Sequence, residues 1–291
     1  KMGKKATTAK EQIVVLKERG MIFDCGEEKA EEILLDIGYY RLGFYWFPFE
    51  IDKDHNLEKG TLFSNIINLY YLDVDLRNVL LKYLKRIEVN FRTKIIYYTS
   101  NKHKEDPIWY SNPKIMAHWF INNLDTKLYT DKFKDDNKQI KLHHIKHRND
   151  IYAPTWKTFE FLTFGAIVTV FNALKSEELK KEISKLYGLN NLNTFINFIH
   201  TIKFIRNICA HAGVLYDLNF PQGIYKIPRA KFNDNNNQSL DAGIKTISFI
   251  LKNISEERHN DMNIEINKLF KEYENNETIK LIITDKIGYK M

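Results

Sequence analysis

The chain has 291 residues, which suits one large domain or two small ones, and 44% of them are hydrophobic, which is ample for a core. Charged residues of both signs make up 28% of the chain, which excludes a disordered protein, and the net charge of +7 favours an anionic partner, with nucleic acid first. No segment has the apolar length of a membrane span, and Cys25 and Cys209 are far apart, so we expect a cytoplasmic protein with reduced thiols.

Residues 1–63 are predicted to form a helical and aromatic-rich N-terminal segment. A capping-box pattern opens a helix over 8–19, and apolar spacing predicts a second helix over 27–37. The aromatic segment, GYYRLGFYWFPFE at 38–50, follows. We interpret it as a buried clamp between helices; the alternative is a platform on which bases of single-stranded RNA stack.

Residues 64–255 are predicted to form the helical core, and its longest helix covers 64–100. Lys82, Lys85 and Arg92 cluster on one side of this helix. Such a basic stripe is usually a solvated face, but it is also a candidate for contacts with RNA phosphates.

A polar, turn-rich insertion is predicted over 101–153, running over the helical body and partly helical near 115–124. It contains His143, His144 and His147, of which the first and last have the i, i+4 spacing of a metal-binding helix. No third ligand follows at a characteristic distance, so a solvated basic face is the favoured interpretation and a structural metal site the alternative.

The remaining segments read as helices and a tail. One apolar helix over 155–174, interrupted at Gly165, carries Glu160. Residues 256–291 are predicted to hold a C-terminal helix and a tail, and the pattern leaves open whether the tail is a strand or an extended arm. Other helices are predicted at 176–187, 194–212, 240–253 and 260–274.

The segment TFINFIHTIKFIRNICAHAGVLYD, residues 194–217, predicts a helix with a cation on its apolar face. An arginine there is costly unless it is paired or bound to an anion. Asn207 and His211 lie on another side of the same helix, and Gly213 is predicted to end it. Residues at steps of four and three form the apolar face: Phe195, Ile199, Ile202, Arg206 and Cys209.

An arginine beside a histidine suits RNA cleavage without a metal. The ribose 2′-hydroxyl attacks the adjacent phosphorus, imidazoles carry the proton steps, and a guanidinium stabilises the phosphorane charge. The negative end of the helix dipole favours a protonated His211, which suits the role of acid. One histidine is too few for both proton steps, and a second copy of the chain would supply the other.

The spacing Arg-x4-His has little specificity alone. The alternative is a structural Arg206, buried against Glu88 or Glu160, with His211 capping backbone carbonyls. On spacing alone that alternative is favoured.

The surrounding sequence resembles a known family. RNICAHAGVLYD is similar to the R-N-x-C-A-H signature of Abi-like abortive-infection proteins of the AbiD and AbiF type, within the HEPN superfamily of helical ribonucleases. VLKERG, GYYRLGFYWFPF, LRNVLLKYLKRIEVNFRTKIIYY, PTWKTFEFLTFG and KLYGL agree with it in order, so the likeness spans 10–255.

The resemblance implies an all-α HEPN-like bundle, a homodimer with a composite cleft, and metal-independent endoribonuclease activity in phage defence, with no cofactor. It places Arg206 and His211 at the two catalytic positions and Asn207 at the polar position between them. We also predict that Lys203 and Tyr216, beside these residues, contact RNA.

The chain departs from many relatives at two positions. It has Ala212 and Val214 where those relatives have a histidine and an arginine. The departures remove two expected RNA contacts and place the chain nearer the AbiF type, for which the resemblance suggests a small non-coding RNA as antitoxin. A non-catalytic RNA-binding protein using the same basic cleft is the alternative function, and a purely helical interaction protein is the third.

Overall fold

A computed structural model describes residues 5–290, and those residues fold into helices with no β-strand. The predicted all-α class is therefore confirmed. Buried apolar side chains from Ala9 to Ile287 form one continuous hydrophobic cluster. The three predicted segments thus share a core, and residues 1–4 and 291 lie outside the described part.

The α-helices are α1 Ala9–Glu18, α2 Glu27–Ile37, α3 Tyr39–Trp46, α4 Phe63–Lys102, α5 His118–Ile121, α6 Asp131–Asp136, α7 Lys138–Lys146, α8 Thr155–Thr158, α9 Phe164–Ala173, α10 Glu177–Lys185, α11 Leu192–Ala210, α12 Leu240–Lys252, α13 Glu256–Lys271 and α14 Glu277–Ile282. Short 3₁₀ or π turns lie at Phe47–Phe49, Trp109–Ser111, Leu124–Leu128, Phe159–Phe161, Asn233–Asn235 and Ile283–Ile287.

Helix α4 is the axis of the fold, because α3, α9, α10, α11, α12, α13 and α14 all pack on it. Its predicted apolar stripe is buried along most of its length, and Phe91 sits in an aromatic cluster with Phe171, Tyr187 and Phe195. Since α11 packs directly on α4, the carboxylate of Glu88 on α4 can reach the Arg206 side chain.

The insertion over 101–153 is less exposed than its polar, turn-rich sequence suggested. Trp109, Tyr110 and Tyr129 are buried, and the Tyr110 hydroxyl donates to the Ala153 carbonyl at 2.8 Å. The insertion therefore does not lie wholly on the surface, because these aromatic residues belong to the core.

Two other predicted elements also differ. The helix predicted over 155–174 is two helices, and the break falls at Leu162, after which Thr163 caps α9 by accepting from the Ala166 N–H. Gly165 therefore lies inside the first turn of α9. The tail is helical, because Asn276 caps α14 and the isoleucines that follow are buried.

Candidate functional site

Helix α11 ends within reach of solvent. The Asn191 side chain caps its start by accepting from the Thr194 N–H, and His211 is the C-cap residue. Ala212 then takes the left-handed conformation at φ 53°, and the Gly213 N–H donates to the Ile208 carbonyl at 2.9 Å. The prediction that Gly213 ends the helix is corrected by one position, since Ala212 makes the left-handed turn.

A shared carboxylate fixes two arginines at the α4–α11 contact. Arg206 Nε donates to Glu88 Oε2 at 3.1 Å, and Arg92 Nη2 donates to Glu88 Oε1 at 3.2 Å. Arg92 Nη2 also donates to the Leu162 carbonyl at 3.0 Å. Of the two predicted partners of Arg206, Glu88 is the one found, while Glu160 lies 3.9 Å from Arg92 Nη1.

The outer end of the Arg206 fork remains accessible. Its side chain is 21% exposed, against 10% for that of Glu88, and the bond to Glu88 uses the inner nitrogen, Nε. Nη1 lies 3.5 Å from Asn207 Oδ1 at the limit of a hydrogen bond. Asn207 and His211 are exposed. The C-terminal end of α11 therefore carries a partly exposed guanidinium, an exposed amide and an exposed imidazole.

The residues after His211 are tied to α4 by a buried carboxylate. Asp73 Oδ1 accepts from the backbone N–H groups of Leu215 and Tyr216 at 2.9 and 2.7 Å. Asp73 Oδ2 accepts from the Tyr45 hydroxyl at 2.9 Å and lies 3.3 Å from Arg77 Nε. Burial raises the pKa of Asp73, and the arginine and the three donors oppose that shift. The Asp73 carboxylate therefore fixes the chain just beyond the end of α11.

The aromatic segment, residues 38–50, helps to hold the same stretch of chain. Tyr45 and Trp46 are buried, and the Phe44 carbonyl accepts from the Tyr216 hydroxyl at 2.7 Å. Tyr40 on α3 and Phe47 in the turn that follows it are exposed. The interpretation as a buried clamp therefore describes one side of α3.

The predicted RNA contacts divide into three groups. Arg92 and Tyr216 are 8% and 1% exposed and are held by internal hydrogen bonds, so the prediction that they contact RNA is corrected. Lys82 Nζ donates a hydrogen bond to Oε1 of Glu265, on α13, at 2.6 Å. Lys85 is exposed and Lys203 is half-buried one turn before Asn207, so both remain candidates.

Within residues 5–290, no group of three or more histidine, cysteine or acidic side chains is placed to hold a metal. His143 and His147 are instead stacked on each other, with ring centroids 4.7 Å apart. Cys25 and Cys209 are both unpaired, and burial raises the pKa of the Cys209 thiol to about 12. Across the same described residues, no helix has both the length and the apolarity to cross a membrane.

The site lies inside a recognised family region. A model of the family described as Abi-like protein matches residues 32–217, more than half of the chain. The chain belongs to the Abi-like protein family. Membership supports a role in abortive infection, a form of phage defence. Neither a curated protein nor a solved structure matches the chain.

Sequence reasoning missed the role of Asp73. Its signal was available, because Leu69, Asp73, Leu76 and Leu80 follow at steps of four, three and four and therefore share a face. An acidic residue on an apolar stripe needs buried hydrogen-bond donors or a cation, just as Arg206 on the apolar stripe of α11 needs an anionic partner.

Proposed function

We propose that this Abi-like protein is a metal-independent endoribonuclease of the HEPN type, acting as a cytoplasmic toxin in phage defence. One observation supports the proposal: Arg206, Asn207 and His211 follow one another at the C-terminal end of α11, inside the region that matches the family, and Asn207 and His211 are exposed there. Their side chains supply the phosphate ligand, the polar contact and the proton-transfer group that RNA cleavage requires.

The ion pair with Glu88 is compatible with this chemistry. A carboxylate on Nε orients the fork and leaves the two Nη groups to bond phosphate oxygens. Arg206 would then stabilise the phosphorane while His211 protonates the 5′-oxygen that leaves. Asn207, next to Nη1, would orient the phosphate or the imidazole.

A second copy of the chain would complete the site, because one imidazole cannot serve as both base and acid at once. The exposure of Asn207 and His211 leaves room for a symmetry-related helix end. Asn207→Cys in a Cys25→Ser background tests this arrangement: oxidation should give cross-linked dimers, and Lys138→Cys on α7 should not. Equal cross-linking of the two variants would contradict a homodimer centred on α11.

Cleavage itself is tested with labelled RNA in the presence of EDTA. His211→Ala and Arg206→Ala should each lose at least about a hundredfold in rate, the usual contribution of a general acid or a charge-stabilising donor. The matched controls His118→Ala and Arg229→Ala change exposed residues outside the site and should cut like the parent. In cells, the parent and the two control variants should arrest growth, and His211→Ala and Arg206→Ala should not.

The second candidate is a non-catalytic protein that binds RNA, including a small non-coding RNA, through the same basic surface. The observation that favours it is the Arg206–Glu88 bond, since a paired guanidinium has less charge to offer a phosphorane. Under this alternative Arg206→Ala loses RNA affinity, and no products appear at any protein concentration.

A further inference from the structure

A cleft of about 390 Å³ lies between α7 and the turn after α8, and the proposed site does not use it. Leu142, His143 and Lys146 line one wall, and Trp156, Lys157 and Phe161 line the other. The histidine-rich helix that suggested a metal or a solvated face therefore forms a wall of a cavity.

Two lysines, Lys146 and Lys157, and one carboxylate, Glu160, line the cleft. Lys157 Nζ lies 3.5 Å from His143 Nδ1, and His143 Nε2 lies 3.0 Å from Asp150 Oδ2. This geometry fits a neutral ring that donates to Asp150 and accepts from Lys157, and burial together with Lys157 lowers the pKa of His143. Among residues 5–290 no carboxylate forms a salt bridge with Lys146 or Lys157, and Glu160 lies 3.9 Å from Arg92 Nη1, so an anion can bind the two ammonium groups.

The cleft also presents aromatic faces. Trp156 is 52% exposed and Phe161 is 36% exposed. An indole beside two ammonium groups matches what one nucleotide offers, a flat base and a charged phosphate.

This cleft is connected to Arg206 through charged side chains. Glu160, which lines the cleft, lies 3.9 Å from Arg92 Nη1, and Arg92 shares the carboxylate of Glu88 with Arg206. The cleft and Arg206 therefore lie at the two ends of one chain of ion pairs, which passes through the buried Arg92.

We infer that the cleft binds one nucleotide of a single-stranded RNA that also occupies the Arg206 site, with its base on Trp156 and its phosphate on Lys146 and Lys157. The inference rests on the proposed function, which it deepens by naming an unpaired strand as the substrate. It also gives the insertion a role, since α7 supplies one wall of the pocket.

The test measures binding of a fluorescein-labelled single-stranded oligoribonucleotide by anisotropy, in full-length protein carrying His211→Ala to prevent cleavage. Trp156→Ala should weaken binding about tenfold, as expected for the loss of one base–aromatic stack. Trp119→Ala is the matched control, because Trp119 is equally exposed at 52% and lies outside the cleft, and it should bind within twofold of the parent. Trp156→Phe, which keeps a stacking face, should restore most of the affinity.

Salt dependence tests the phosphate contacts. Lys146→Ala should reduce the slope of log affinity against log salt by about 0.7, the value for one phosphate contact on a single strand. Lys138→Ala, at the far end of the same helix and outside the cleft, should leave the slope unchanged.

The outcomes separate this inference from the proposed function. If Trp156→Ala binds RNA as tightly as the parent while His211→Ala abolishes cleavage, only the pocket is wrong. If Trp156→Ala loses affinity but His211→Ala still cuts RNA, the pocket stands and the catalytic assignment fails. A mononucleotide that binds as tightly as the strand would overturn the inference in favour of a free-nucleotide site.

Discussion

Glu88 accepts hydrogen bonds from two arginines with a side chain that is only 10% exposed, so its charge should matter to stability. We predict that Glu88→Gln lowers the free energy of unfolding by about 2–3 kcal/mol. Removing one partner of a buried ion pair costs roughly 3–5 kcal/mol. The amide keeps one acceptor, and Arg206, at 21% exposed, regains some contact with water, which reduces the cost.

Urea unfolding, followed by tryptophan fluorescence and circular dichroism together, measures this loss. Glu160→Gln is the matched control, because Glu160 is 68% exposed and 3.9 Å from Arg92, and it should change the free energy of unfolding by no more than about 0.5 kcal/mol. A double-mutant cycle of Glu88→Gln with Arg206→Met should give a coupling of about 1–2 kcal/mol. A coupling below about 0.3 kcal/mol would refute the claim that Glu88 fixes Arg206.

Three other changes test the neighbouring structure. Ala212→Gly should raise the free energy of unfolding by roughly 0.5–1 kcal/mol in urea, because Ala212 is held at φ 53° with an exposed side chain; equal or lower stability would contradict the left-handed turn. Asp73→Asn should lower the free energy of unfolding by about 2–4 kcal/mol, since an amide cannot accept all three hydrogen bonds of the buried carboxylate or form the ion pair with Arg77; an unchanged melting temperature would contradict this role of Asp73. Burial lowers the pKa of His143 and His200 below the ordinary 6.5. As the pH falls, the unfolded chain therefore takes up protons before the folded chain does. Stability should then decrease as the pH drops from 7 through 6.5 to the lowered pKa values of the folded state. The double variant His143→Gln with His200→Gln should flatten that pH dependence, and an unchanged slope would be evidence against it.

Local patterns predicted much of the fold because they carry local information. The capping box at Thr8 and the apolar spacing over Glu27–Ile37 gave those helices nearly to the residue. The regular stripe of α4 gave the longest helix, and of the two carboxylates named as possible partners of Arg206, Glu88 is the one that pairs with it. In each case the decisive contacts lie within one helix, or between two strongly periodic ones.

Long-range packing accounts for what the patterns did not show. The aromatic residues of the insertion looked surface-bound among lysines and aspartates, and only their burial against one another reveals a core. The pattern left open whether the tail is a strand or an extended arm, and the structure shows instead that Asn276 caps the helix α14 there. Tyr216 was misplaced in the predicted RNA surface, because its partner, the Phe44 carbonyl, is far away in the chain.

The central claim is that the imidazole at the end of α11 transfers protons during RNA cleavage. The most direct measurement is the single-turnover cleavage rate of a labelled RNA in EDTA, compared between the parent and His211→Ala, with the product ends analysed. The account predicts a 2′,3′-cyclic phosphate and a 5′-hydroxyl from the parent, and a rate at least about a hundredfold lower for the variant. Equal rates for the two proteins, or no product from the parent at any concentration, would contradict it.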